Sequence, residues 1–244
     1  MDNFYAGISA GILSTIICNP FDIIRINIQS NYKLNTLTFI KTKYTKYGLR
    51  YFYKGLGIGL LTIPSFWGIY FPLYEYNKNK ISSPIAGYIS GCISSTLTCP
   101  LWVIRQKIQT DNKFSIIKYY KNNNINIFYT GLFPTYLINL SFCIQMPIYE
   151  YLKNKYKNTT INIFLMTSFS KTIGSLCMYP FDTLRVLSRK NPNESFKNII
   201  FNLNKNPILY YRGLPNYIIR SIPYHTATFC TFEYYKKYSR KRKI

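Results

Sequence analysis

NPFDIIR at residues 19–25, CPLWVIR at 99–105 and YPFDTLR at 179–185 share one shape: a proline, then an arginine five residues later. The prolines, Pro20, Pro100 and Pro180, are spaced by 80 and 80 residues. Two copies carry an acid between proline and arginine, Asp22 and Asp182, whereas the middle copy carries Trp102. Each heptad closes a stretch almost free of charge. The uncharged windows are 3–21, 55–74, 81–104 and 122–149, and two more, 158–181 and 213–232, are each broken by one cation, Lys171 and Arg220. Windows of about 20 residues match a helix crossing a bilayer. Their Ser, Thr, Gly and Tyr content suits bundle helices that face one another or water. The expected architecture is an all-α membrane protein with six transmembrane helices.

Basic residues outnumber acidic ones 31 to 8, a formal charge of +23, which points to nucleic acid, anionic lipid or an anionic solute as partner. Yet 48% of the chain is apolar and 18% aromatic, which excludes a solvated basic tail. The charge lies between the spans, as in Lys41, Lys43, Lys46 and Arg50, and in the C-terminal KKYSRKRKI. Coding bias toward Lys, Asn, Ile and Tyr is an alternative source of part of it. Aromatics in the spans and cations in the loops disfavour a nucleic-acid binder, which interleaves the two. The six cysteines form no CxxC pair and His225 stands alone, so no metal site and no disulfide framework is expected. No signal peptide or arginine-rich presequence is legible before the first span, so targeting is expected to be internal.

The 80-residue period extends further. An aromatic-x-glycine follows each arginine by about thirty residues: YKG at 53–55, YTG at 129–131 and YRG at 211–213. Each repeat closes on an aromatic, a glutamate and a lysine: YEYNK at 74–78, YEYLK at 149–153 and FEYYK at 232–236. Five of the eight acids occupy these motif positions, which scatter would not produce. Residues 1–80, 81–160 and 161–244 are therefore read as three repeats of one membrane domain. The prolines are expected to kink the odd-numbered helices. The DxxR spacing puts acid and base on one helical face, so they can pair around a ring, and the YExxK motifs can form a second ring at the opposite side. Interfacial salt bridges without a gating role are the alternative. Gly7/Gly11 and Gly87/Gly91 are spaced for close helix approach; Thr167 and Lys171 stand in the equivalent places of the third repeat.

Three copies of Px[DE]xx[KR], then [YWF][KR]G, then [YF][DE]xx[KR] resemble the mitochondrial carrier family over essentially the whole chain. The resemblance implies a pseudo-threefold barrel in the mitochondrial inner membrane that exchanges metabolites by alternating access, acts as a monomer and is not an enzyme. It implies a matrix gate of Asp22, Arg25, Arg105, Asp182 and Arg185, with Gln29 and Gln109 as braces and Arg189 in the third brace position. Trp102 replaces the acid that would face Arg185, leaving two full interhelical pairs, Asp22–Arg105 and Asp182–Arg25, and a guanidinium of Arg185 expected on the Trp102 face. The implied cytoplasmic gate is Glu75–Lys78, Glu150–Lys153 and Glu233–Lys236, braced by Tyr74 and Tyr149, with Phe232 in the third place. Tyr53, Lys54 and Gly55, and Tyr211, Arg212 and Gly213, resemble cardiolipin-binding helix starts; the second copy has Thr130 in the basic position.

Substrate contacts in such a barrel lie on the even helices thirteen residues before the closing acid, which gives Thr62, the pair Leu137–Ile138, and Arg220. A cation inside a span costs roughly 2.5–3.5 kcal/mol on insertion scales, so Arg220 and Lys171 are expected to face a wet cavity and an anionic solute. A structural ion pair for Arg220 and a snorkelling Lys171 are the alternatives. PLWVIR, PSFWGIYF at 64–71, IQMPIYEYLK at 144–153, SFSK at 168–171 and IIRSIP at 218–223 resemble the subgroup that carries NAD, pyrimidine nucleotides, and folate or FAD. Trp67 can stack on the ring of such a solute, or pack in the barrel wall. The rival reading is a carrier-fold scaffold or adaptor without transport.

Overall fold

The computed structural model describes residues 2–112, 114–156, 159–221 and 223–224, and every regular element among them is helical. The first repeat runs from α1 (Asp2–Ser30) through the surface helix α2 (Thr36–Tyr47) and a 3-10 turn (Leu49–Tyr53) to α3 (Leu56–Lys78). The second has α4 (Ser83–Thr110), α5 (Ile116–Asn122), a 3-10 turn (Ile125–Tyr129), then α6 (Leu132–Asn139) and α7 (Ser141–Lys155). The third has α8 (Thr160–Cys177), α9 (Tyr179–Lys190), α10 (Phe196–Asn204) and a 3-10 turn (Pro207–Tyr211), followed by helix over 214–221 and at 223–224. Four described segments are long and apolar enough to cross a membrane: Gly11–Ser30, Leu49–Lys78, Ser83–Thr110 and Ile125–Lys155.

Burial shows which way these helices face. On α4, Ile85, Ile89, Ile93 and Leu97 recur every fourth residue and are all exposed. The opposite side buries Ser90, Ser94, Thr98, Arg105 and Gln109. Apolar outside and polar inside inverts the pattern of a water-soluble helix and fits one whose solvent is lipid. The same inversion holds on α1, where Ile12, Leu13 and Ile17 are exposed while Ser14, Asn19 and Asp22 are buried. Contacts run α1 to α3, α3 to α4, α4 to α6 and α7, and these to α9 and α8. The ring closes where the Cys18 thiol of α1 meets the Arg220 carbonyl, 3.9 Å away.

Small residues set how tightly the walls fit. A Cβ on Gly91 would lie 3.0 Å from the Phe142 ring, and one on Gly87 would lie 3.4 Å from the Tyr70 hydroxyl. In the third repeat Gly174 does this work instead, with a Cβ position 2.9 Å from the Ser141 carbonyl. Its place in the chain is later than the paired-glycine spacing indicated.

The prolines do not act alike. α1 and α4 continue through Pro20 and Pro100. In the third copy the helix stops at Met178, and Pro180 stands in the first turn of α9, where its missing N–H leaves no hydrogen bond broken. A second discontinuity falls at Leu140 between α6 and α7, where the chain tightens to three-residue hydrogen bonds, Leu140 N–H to Leu137 and Cys143 N–H to Leu140.

Candidate functional site

The C-terminal halves of α1 and α4 and the helix α9 converge and bring the scarce acids to the arginines. Arg105 of α4 donates to Asp22 of α1 at 3.1 Å, and Arg25 of α1 is ion-paired with Asp182 of α9. Both interhelical pairs expected from the sequence are thus formed, and all four side chains are at most one-tenth exposed. Gln29 braces one of them, its amide donating to Asp182 at 2.9 Å and to the Tyr179 hydroxyl at 3.0 Å. Asn19 supports the other: its Oδ1 faces Arg105 at 3.4 Å while its amide donates to the Phe52 carbonyl at 2.9 Å. Arg25 also lies over the Tyr217 ring, 4.6 Å from its centroid.

Two contacts differ from expectation. Arg185 pairs with Asp182 of its own helix, and the Trp102 ring carries Arg105, 5.6 Å from its centroid, rather than Arg185. Asp182 lies one helical turn from Arg185, so the in-helix acid is reached without crossing to α4. Arg220 reaches Asp22 and forms an ion pair there, so that carboxylate serves two guanidiniums from two helices. Nothing in the sequence spacing distinguishes this use of Arg220 from a free cavity cation.

Beside the ring lie two adjoining lobes of about 230 and 250 Å³. Trp102, Arg185, Arg189, Tyr217 and Arg220 line both. Across the two lobes six cationic side chains (Arg25, Arg105, Lys171, Arg185, Arg189 and Arg220) meet two carboxylates, Asp22 and Asp182. A low-dielectric enclosure with that imbalance attracts anions. Lys171 and Arg220 lie over one face partner, Tyr224, at 4.9 and 5.7 Å from its ring centroid. Trp67 lines the first lobe and stacks on Phe71 at 5.3 Å, so it is both wall and aromatic surface.

The other mid-span positions fall differently. Ile138 lines the second lobe. Thr62 is fully buried and gives its hydroxyl to the Ile58 carbonyl at 2.6 Å, while its neighbour Ile63 lines both lobes. Leu137 is half-buried, and the cavity wall beside it is formed by Thr135 and Asn139.

The three aromatic-x-glycine turns repeat a single contact. Gly55, Gly131 and Gly213 all have positive φ, 71°, 74° and 81°, which only glycine adopts without strain. Gly55 lies against α4, Gly131 against α9 and Gly213 against α1, each at the brace position: a Cβ would stand 3.3 Å from Gln109 Cγ, 3.2 Å from Arg189 Cγ and 3.0 Å from Gln29 Cγ respectively. The basic residue of the turn caps that same helix. Lys54 donates to the Asp111 carbonyl at 2.9 Å beyond α4, and Arg212 donates to the Ile28 carbonyl at 3.1 Å and to that of Leu34 at 2.6 Å, beyond α1. A cation there also meets the negative end of the helix dipole. Thr130 cannot reach α9 in this way and bonds locally to Ile127. Lys107 of α4 donates instead to the last carbonyl of α9, Lys190, at 2.9 Å. Sequence reasoning missed Lys107; the missing base at Thr130 was the signal.

At the other end of the barrel no ion pair between helices forms among the described residues. Glu75 pairs with Lys78 of its own helix at 2.5 Å, and Glu150 and Lys153 are exposed. Tyr74 stacks on Tyr70 at 5.8 Å, and Tyr149 is half-buried. Glu233, Lys236 and Phe232 lie outside the described residues.

The sequence pattern that defines mitochondrial carrier protein matches residues 1–84, 77–160 and 156–243. An uncharacterized mitochondrial carrier of Schizosaccharomyces pombe is 27% identical, over 96% of this chain and 95% of its own length. The mitochondrial nicotinamide adenine dinucleotide transporter 1 of Saccharomyces cerevisiae is 26% identical, over 95% of this chain and 75% of its own. A mitochondrial FAD carrier protein of the same yeast is 23% identical, over 93% and 94%.

Proposed function

The chain belongs to the mitochondrial carrier protein family, and on that premise we propose that it exchanges an anionic, nucleotide-like solute across the mitochondrial inner membrane by alternating access. Members of the family are transporters rather than enzymes, so the cavity is asked to bind and release and not to react. The solute belongs to the NAD, FAD–folate or pyrimidine-nucleotide class. One observation carries this reading: a central cavity with six cations against two carboxylates and with Trp67, Trp102, Tyr217 and Tyr224 in its wall. Such a wall suits a planar ring joined to negative charge. The names of the yeast NAD and FAD carriers support the same class.

The ion-paired ring is the matrix gate, closed here, and the YExxK end is the cytoplasmic gate, where Glu75 pairs within its own helix. A bound anion competes with Asp22 for Arg220 and so weakens the closed ring from inside the cavity. The protein works as a monomer, with cardiolipin phosphate meeting the backbone amides beyond Gly55 and Gly213, because Lys54 and Arg212 are committed to carbonyls. The rival, a carrier-fold scaffold, draws on one observation, the tie between Arg220 and Asp22 that seals the ring. Counter-exchange in proteoliposomes against NAD, FAD, folate and pyrimidine nucleotides decides between them. Uptake of at least one supports transport, and silence across that panel favours the scaffold.

A further inference from the structure

The three corners of the ion-paired ring share one backbone contact but not one chemistry. At two corners the residue clamped by the positive-φ glycine is a glutamine, Gln29 or Gln109. At the third it is Arg189, and there the acid that would cross from α4 is Trp102. One negative charge is lost and one positive charge gained at the same corner. Arg189 is 4% exposed and its Nε has no hydrogen-bond partner. Among the described residues no carboxylate pairs with it. One helical turn away, the one carboxylate paired with Arg185 among the described residues is Asp182, which it shares with Arg25 and Gln29, and the Arg185 Nε has no hydrogen-bond partner among them. Two guanidiniums four residues apart on one helix repel, and the one carboxylate beside them is shared with Arg25, so the buried Arg189 has no counter-charge of its own among the described residues. Both line both lobes of the cavity.

We propose that Arg185 and Arg189 form a second anion subsite, distinct from Arg220 and Lys171, that takes a second phosphate-type group of the transported solute. This deepens the nucleotide-like reading and rests on it for the identity of the solute. The paired guanidiniums offer forked donors matched to phosphate oxygens, and Gly131 holds the Arg189 stem as Gly55 holds Gln109. The subsite makes the carrier prefer solutes with two phosphates over those with one.

The test uses the full chain purified in detergent without added lipid. Affinities for NAD, nicotinamide mononucleotide, inorganic pyrophosphate and orthophosphate are measured on the wild type, Arg189→Gln and Arg189→Lys. The wild type is expected to bind NAD and pyrophosphate at least tenfold more tightly than their one-phosphate counterparts. Arg189→Gln, which installs the residue of the other two corners, should erase most of that ratio while leaving mononucleotide affinity within twofold, and Arg189→Lys should restore part of it. If Arg189→Gln does not fold, Trp102→Asp, which restores the acid of the other copies, should depress pyrophosphate affinity in the same way. Pyrophosphate binding that depends on Arg189, with no nucleotide bound, upholds the subsite and overturns the nucleotide reading. Equal affinities in wild type and Arg189→Gln, an equal loss for all four probes, or no binding of any probe by the wild type overturns the subsite.

Discussion

The corner built from Arg25, Asp182 and Gln29 and the corner built from Arg185, Trp102 and Arg189 occupy equivalent places in the ring, and they differ in almost every interaction. The first is closed: a buried interhelical pair, a glutamine on its carboxylate, and a tyrosine face under the guanidinium. The third is open among the described residues: an in-helix pair, Trp102 in place of the acid across from it, and a buried arginine without a carboxylate. Backbone geometry is common to both, because Gly213 and Gly131 press on the same helical position. The fold therefore fixes where charges stand, and side-chain identity at two positions decides whether a corner closes on an interhelical ion pair or leaves its guanidiniums without one among the described residues.

The largest expected effect comes from removing the closed corner. Arg25→Ala leaves part of the Asp182 charge buried without its interhelical partner, and should cost about 3–5 kcal/mol, read as a large fall in thermal stability. Arg185→Ala removes a partly exposed in-helix pair and should cost no more than about 1 kcal/mol. Equal losses in the two variants would mean that the two corners hold the ring equally. Next comes the shared backbone contact. Ala at Gly131 or Gly213 must hold a left-handed conformation at roughly 1–2 kcal/mol. Gly131→Ala should be the worse, since its Cβ would stand 3.1 Å from the Arg185 carbonyl, whereas at Gly213 the nearest atom is the flexible Gln29 Cγ. Smaller again is the loss of a cap: Lys107→Met should cost about 0.3–1 kcal/mol by freeing the end of α9, and Lys54→Met should do the same to α4. The smallest belongs to the opposite end of the barrel, where Glu75→Gln removes an exposed in-helix pair, and a stability change within about 1 kcal/mol is expected.

How much was legible follows from how local each feature is. The repeats, the spans and the pairs Asp22–Arg105 and Asp182–Arg25 are written in spacing, because helical period and threefold arrangement bring residues together at fixed offsets. The partner of Arg185 was not legible. A long guanidinium stem reaches several groups, and the in-helix acid competes with the ring across the barrel. Arg220 was read as a mid-cavity cation; that it also reaches Asp22 depends on how closely the helix over 214–221 approaches α1. Thr62 illustrates the same limit, since Ile63, one residue on, is turned to the cavity while Thr62 is turned into the wall. The capping roles of Lys54, Lys107 and Arg212 lie in contacts between repeats, which a period within the sequence does not encode.

The central claim is that the cationic cavity carries an anionic solute and that Arg220 meets it. Counter-exchange of NAD, FAD, folate and pyrimidine nucleotides by reconstituted wild type and Arg220→Ala tests this most directly, with membrane insertion and thermal stability measured alongside. Arg105 still pairs with Asp22 in that variant, so the barrel should persist. Exchange by the wild type and its abolition in an inserted, folded Arg220→Ala are expected; wild-type rates in the variant would remove Arg220 from the solute site.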